Sequence, residues 1–167
     1  MPAADEVTVS RAGPLDLGEI VDLLRENEAP RGSLTGHFTR EGIDAALRAM
    51  PVIIARLDGN LIGVLVSSPI DGVREQPVIA QMLAIHRGGP GAYVYGPICV
   101  SDAARGRGVA RMLFERLRAE LPGREGILFI RSDNEASLRA HQRFATMRVR
   151  GEFSMDGVSF VVLSFAG

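Results

Sequence analysis

The clearest chemistry in the chain lies in six residues, Arg105-Gly106-Arg107-Gly108-Val109-Ala110. An apolar run, YVYGPICV at 93–100, precedes them, and an amphipathic run, VARMLFERLRAEL at 109–121, follows. Strand, glycine-rich turn and helix make an anion-binding arrangement. Glycines let the turn bend and let a ligand approach the backbone closely. The first amides of a helix have no internal acceptor and point at whatever occupies the turn. Arg105, Arg107 and Arg111 add positive charge. The predicted ligand is a diphosphate.

Two common phosphate loops do not fit. A Walker loop needs Gly, four residues, Gly and Lys-Ser/Thr, and no such run occurs. A dinucleotide fingerprint needs Gly-x-Gly-x-x-Gly, but its third glycine is replaced by Arg111. The turn also comes late, with too little chain after it for a full doubly wound domain. A nucleotide-binding oxidoreductase is therefore disfavoured. Metal chemistry has little support, because His37 and His86 are far apart and lack ligand spacing. Cys99 reads as a small buried apolar residue rather than a nucleophile.

The elements that must position the turn follow from periodicity. Residues 7–10 alternate as a short strand. Leu17, Ile20, Val21 and Leu24 recur at helical spacing and predict a helix over 15–27. Residues 27–39 form a turn-rich loop with Pro30, Gly32 and Gly36. A second helix begins between Thr39 and Gly42, buries Ile43, Ala46, Leu47 and Met50, and stops at Pro51. Residues 52–56 and 61–67 make a hairpin about Asp58-Gly59. Within 69–92, Val78, Ile79, Met82 and Leu83 suggest one short helix. Strand 93–100 and a long helix over 105–121 follow. Residues 127–130 (ILFI) predict a strand buried on both faces. A helix over 135–146 and a hairpin of 149–154 with 158–165 complete the chain. Hairpins at both ends and two β–α units between them predict one α/β domain over 1–167, a mixed sheet covered by helices.

In this context the turn has the form Arg-x-x-Gly-x-Ala, filled by Arg105, Gly108 and Ala110. With Ile98, Cys99 and Val100 before it and Asn134, Ser137 and His141 after the next strand, the chain resembles the GNAT family of N-acetyltransferases. The element order is similar too. The resemblance implies a central mixed, mostly antiparallel sheet with splayed central strands flanked by helices. It implies acetyl-CoA as co-substrate and no metal. The pyrophosphate would rest on the amides of Arg107, Gly108, Val109 and Ala110, with Arg105, Gly106 and Arg111 beside it. The pantetheine arm would pair with Ile98, Cys99 and Val100 as an added strand would. Gly96-Pro97 agrees with this, since proline is excluded from an intact central ladder and a splay point has none to lose. Asn134 and Ser137 match positions that touch the cofactor arm. Position 141 usually carries the tyrosine that protonates the leaving thiolate, and here it is His141. The family's Gly-Phe is replaced by Ala145-Thr146, which leaves the end of that helix open. Tyr95 is a second candidate for the chemistry, holding water or substrate. Glu28, Asp133 and Glu152 are candidate bases for the amine by location alone.

The remaining composition sets bounds. The apolar fraction of 46% and charged fraction of 23% are those of an ordinary globule. A net charge of −1 gives no broad basic surface for nucleic acid. One cysteine, no leader pattern and no membrane-length apolar run lead to an expectation of a cytoplasmic protein. The acceptor pocket should be walled by the loop 27–39, the segment 69–92 and the last hairpin. These carry Glu28, Arg31, Arg40, Asp71, Arg74, Glu75 and Arg87, both signs together, and the acceptor is read as a small-molecule amine of amino-acid or polyamine type. A non-catalytic acyl-CoA-binding module is the alternative, because the usual tyrosine is missing. The apolar strand at 160–165 could pair across a homodimer.

Overall fold

The computed structural model describes residues 6–29, 32 and 34–167. Pro30 and Arg31, named above for the acceptor loop, lie outside the described residues. The elements are strands β1 (Val7–Arg11), β2 (Val52–Leu57), β3 (Asn60–Pro69), β4 (Tyr93–Val100), β5 (Gly126–Arg131), β6 (Arg148–Met155) and β7 (Val158–Phe165). The helices are α1 (Leu17–Glu26), α2 (Arg40–Ala49), α3 (Ile70–Val73), α4 (Pro77–Ile85), α5 (Val109–Glu120) and α6 (Glu135–Gln142). Strand order is β1-β2-β3-β4-β5-β7-β6, a seven-stranded mixed sheet. The β1–β2, β2–β3, β5–β7 and β6–β7 pairings are antiparallel, and the β4–β5 pairing is parallel.

By their contacts the described residues divide into two compact units, Met1–Ser67 with Gly96–Glu120, and Ser68–Tyr95 with Leu121–Gly167. Strand β4 runs from the second into the first. In the first unit, period-2 alternation assigns the two faces of β2 and β3. Val52, Ile54, Val64 and Val66 pack with Leu17, Ile20, Val21 and Leu24 of α1, Ile43 of α2, and Cys99. The opposite face carries Ala55 and Gly63, which are register partners. A Cβ at Gly63 would meet Val109 at 3.1 Å and Leu113 at 3.2 Å, so the glycine lets α5 approach the sheet closely.

In the second unit Val94, Ile127 and Val162 pack with Ile79 and Met82 of α4. The alternate residues, Tyr93 and Tyr95, meet Phe165 edge-on with ring centroids 6.2 and 5.4 Å apart. A Cβ at Gly126 would lie 2.3 Å from the Phe165 ring, so the β5 residue opposite Phe165 must be glycine. The β4–β5 ladder consists of Tyr93↔Gly126 and Val94↔Ile127, and the Gly96-Pro97 peptide, which is cis, comes two residues later.

Several boundaries differ from the sequence reading. Residues 14–16 are a 3-10 turn before α1. The segment 69–92 holds two helices, because Pro77 starts α4 afresh at its first turn. Helix α5 begins at Val109 rather than 105, since Gly106 and Gly108 take φ of 82° and 73°, outside helical space. Helix α6 ends at Gln142, and Thr146 turns at φ 61°. Strand β7 cannot pair across a dimer as expected, because β5 occupies one edge and β6 the other. Among the described residues no helix is long and apolar enough to cross a membrane.

Candidate active site

The first unit holds the turn. Ser101 N–H donates to the Ile62 carbonyl at 2.8 Å and fixes the end of β4 against β3. A short 3-10 turn, Asp102–Ala104, then leads into Arg105. Gly106, Arg107 and Gly108 are exposed, while Val109 buries its side chain and so anchors the first residue of α5. Helix geometry leaves the amides of Val109, Ala110 and Arg111 without an intrahelical acceptor. The amide of Met112 is the next in the chain and donates to the Gly108 carbonyl at 3.1 Å. A Cβ at Gly106 or Gly108 would meet nothing within 4 Å. The turn thus presents free donors beside open space. Arg105 is engaged with Asp102 at 3.1 Å, and both side chains are largely exposed. Arg107 and Arg111 are exposed.

Ile98 and Val100 are half-buried, and Cys99 between them is buried. The Cys99 thiol is pushed up to about 12, chiefly by burial. Burial keeps it in the thiol form at neutral pH, as expected of a small buried apolar residue.

The second unit brings Tyr95, Ser137 and His141 together. His141 is 2% exposed. Its Nδ1 lies 2.8 Å from the Ser137 carbonyl, which can only accept, so Nδ1 carries the proton. Nε2 is then an acceptor, and the Tyr95 hydroxyl, 3.0 Å away, donates to it. Burial lowers the His141 pKa, against the opposing effect of the Ser137 carbonyl. Burial, with Tyr93 nearby, raises that of Tyr95 well above an ordinary phenol. The pair is neutral near pH 7. Asn134 acts as N-cap of α6, its side-chain oxygen accepting from Ser137 N–H at 3.3 Å.

The three candidate bases fare differently. Glu28 is clasped by Phe38 N–H at 2.7 Å and by His37 Nδ1 at 3.1 Å, and these bonds hold its carboxyl below the usual range. Asp133 is paired with Arg131 at 2.9 and 3.1 Å, which lowers it as well. Glu152 is exposed on β6. The Glu28–His37 pair is not among the sequence expectations, which treat His37 only as a poor candidate metal ligand. The available signal was a carboxylate nine residues earlier, across a loop rich in Pro and Gly. A cavity of about 310 Å³ in the second unit is lined by Glu125, Thr146, Arg148, Arg150 and Phe165, and by none of the predicted site residues. Among the described residues no three His, Cys, Asp or Glu side chains are grouped to hold a metal ion.

The acetyltransferase (GNAT) family profile matches residues 19–145. The chain belongs to the GNAT acetyltransferase family. Solved structures agree on the fold of this GNAT chain. One is yncA of Salmonella typhimurium, provisionally assigned as an acetyltransferase and solved with its cofactor acetyl-CoA. It has 16% identity and a TM-score of 0.73, with 96% of this chain and 94% of that one covered. An N-acetyltransferase from Staphylococcus aureus Mu50 has 20% identity and a TM-score of 0.68, covering 96% and 98%. A ribosomal-protein-alanine N-acetyltransferase from Brucella melitensis has 16% identity and a TM-score of 0.68, covering 96% and 99%. Among curated proteins none matches.

Proposed function

We propose that this GNAT protein transfers acetyl from acetyl-CoA to the primary amine of a small molecule by direct attack. One observation carries the reading. The strand–turn–helix at 98–111 presents unpaired helix amides beside two glycines whose φ is left-handed and whose outer side is open. Such a turn suits a diphosphate, with each amide contributing a fixed dipole. The amides of Arg107, Gly108, Val109 and Ala110 bind the diphosphate of acetyl-CoA, and the arginine side chains add less. Ile98, Cys99 and Val100 hold the cofactor arm, and a strand amide polarises the thioester carbonyl. Positioning and oxyanion stabilisation supply most of the rate.

His141 and Tyr95 are proposed to stand on the side of the leaving thiolate. A neutral His141 that accepts from Tyr95 is not a charged donor, so its part is to hold the phenol. Little acid is needed, since a thiol of pKa about 8.5 leaves readily near neutral pH. Asn134 and Ser137, which line up the start of α6, are proposed to meet the cofactor arm. The acceptor is proposed to be of amino-acid or polyamine type.

The buried, neutral His141 also supports a second reading, a GNAT module that binds acyl-CoA without turnover. One experiment separates the two, namely thermal denaturation with acetyl-CoA together with CoA release on a panel of amines. Stabilisation with turnover supports the enzyme. Stabilisation without turnover on any amine supports the module. No stabilisation contradicts both.

A further inference from the structure

We propose that His37 is the general base that removes the proton from the acceptor amine, with Glu28 holding its ring in the reactive tautomer. The inference rests on the acetyltransferase reading above and supplies the base that reading lacks.

The geometry is that of a histidine–carboxylate pair. Glu28 Oε2 can only accept, so at 3.1 Å His37 Nδ1 is the donor, and in the neutral ring Nε2 carries the lone pair. The His37 side chain is 70% exposed and that of Glu28 17%, so the reactive nitrogen faces outward and its partner is shielded. Among the described residues Nε2 has no hydrogen-bond or ion-pair partner. The second carboxylate oxygen accepts from Phe38 N–H at 2.7 Å, which fixes Glu28 at both ends. The charged group beside the pair is Arg25 of α1, whose Nε donates to the Phe38 carbonyl at 3.1 Å.

The loop that carries the pair is tied to the proposed thioester strand. Leu34 and Phe38 pack on the apolar cluster that includes Cys99. The Cys99 Sγ lies 4.0 Å from the Leu23 carbonyl, one turn before the end of α1. His37 follows Gly36, at φ 105°, and precedes the anchored Phe38. Of the other two histidines, His141 has both nitrogens engaged, and His86, paired through Nε2 with Glu125 at 2.9 Å, belongs to the second unit, whereas His37 and Ile98, Cys99 and Val100 belong to the first. Glu28 and Asp133 each have both carboxylate oxygens engaged, Glu28 by Phe38 N–H and His37 and Asp133 by Arg131. A neutral imidazole held through one ring nitrogen can accept a proton at the other.

The step balances. An ammonium acceptor gives one proton to Nε2, and the freed lone pair attacks the thioester carbonyl carbon. Collapse of the tetrahedral intermediate breaks the C–S bond. The CoA sulfur leaves with the electron pair and takes a second ammonium proton. The third stays on the amide nitrogen, and His37 returns its proton to water.

The test uses the full chain with putrescine, spermidine, lysine and glycine as acceptors, following CoA release across pH 6 to 9. His37→Ala is expected to lower kcat/KM by about 10²–10³-fold. It should lose the acid limb of the wild-type profile and regain rate on adding free imidazole. Glu28→Gln is expected to lower kcat/KM by about tenfold with an acid limb still present. Both variants should keep the wild-type stabilisation by acetyl-CoA. Turnover by His37→Ala within threefold of wild type at every pH would overturn the inference and leave the acetyltransferase reading standing. Loss of acetyl-CoA stabilisation in His37→Ala would also overturn it, by making the role structural. Wild type without turnover on any acceptor would remove the acetyltransferase reading, and the inference with it.

Discussion

Gly108 makes the most specific residue-scale claim. A glutamate there would force a non-glycine residue to φ 73° and place a carboxylate in the space left open beside the free amides. Gly108→Glu is expected to reduce acetyl-CoA affinity at least hundredfold by calorimetric titration. Alanine at Arg105, Arg107 or Arg111 should cost only about fivefold each, near 1 kcal/mol, because exposed charges near a helix end contribute little. His141 makes a different claim. His141→Phe removes the bonds to Tyr95 and Ser137 and should destabilise the fold by about 1–3 kcal/mol in urea titrations, while leaving acetyl-CoA binding in place.

The pH dependence has a definite sign. The His141 pKa is lower folded than unfolded, so the unfolded chain binds more protons below the ordinary histidine value. Its stabilising effect is complete above about pH 6.5 and declines as pH falls below that. The urea midpoint should fall between pH 7 and pH 5.5 in the wild type, and less steeply in His141→Phe. Asp16 and Glu125, both lowered, act in a separate window near pH 4 and below.

Elements place these residues, and their ends carry the information. Thr39 caps α2 by accepting from Gly42 N–H at 3.1 Å, and Thr39→Ala should cost about 1 kcal/mol by thermal denaturation. At the other unit's centre, Gly126→Ala would drive a methyl into the Phe165 ring that Tyr93 and Tyr95 abut. It should cost about 1–3 kcal/mol in the same measurement.

Much at this scale was legible. The Asp58-Gly59 and Asp156-Gly157 turns announced their hairpins, and all four residues have positive φ. Helical spacing found the buried face of α1, and on α2 it found Ile43, while Ala46 and Leu47 are only half-buried. The start of α5 was not legible from periodicity alone, because the apolar repeat says nothing of where φ changes sign. The end of α6 was missed for a similar reason, with Phe144 buried although it lies past the helix. Contacts between distant residues were beyond reach. Nothing in the sequence joins Tyr95 to His141, because that bond depends on how the chain folds back.

For the whole molecule the decisive property is linkage between fold and cofactor. A ligand that binds only the folded chain stabilises it by about 2.7 kcal/mol at a hundred times its Kd. For a chain of this length that raises Tm by about 5–10 °C. Family membership and a mixed sheet flanked by helices were anticipated from the Arg-x-x-Gly-x-Ala turn, the residues around it and the order of elements, whereas the spatial strand order is read from the structure. Which amine is acetylated is a property of loops, whose charged residues of both signs specify no single ligand by themselves.

Titration of acetyl-CoA into the wild type and Gly108→Glu, with CoA-free buffer as reference, tests the central claim most directly. Saturable binding by the wild type, with at least a hundredfold loss in a variant that remains folded, is the predicted result. Equal binding by the two proteins, or none by the wild type, would contradict it.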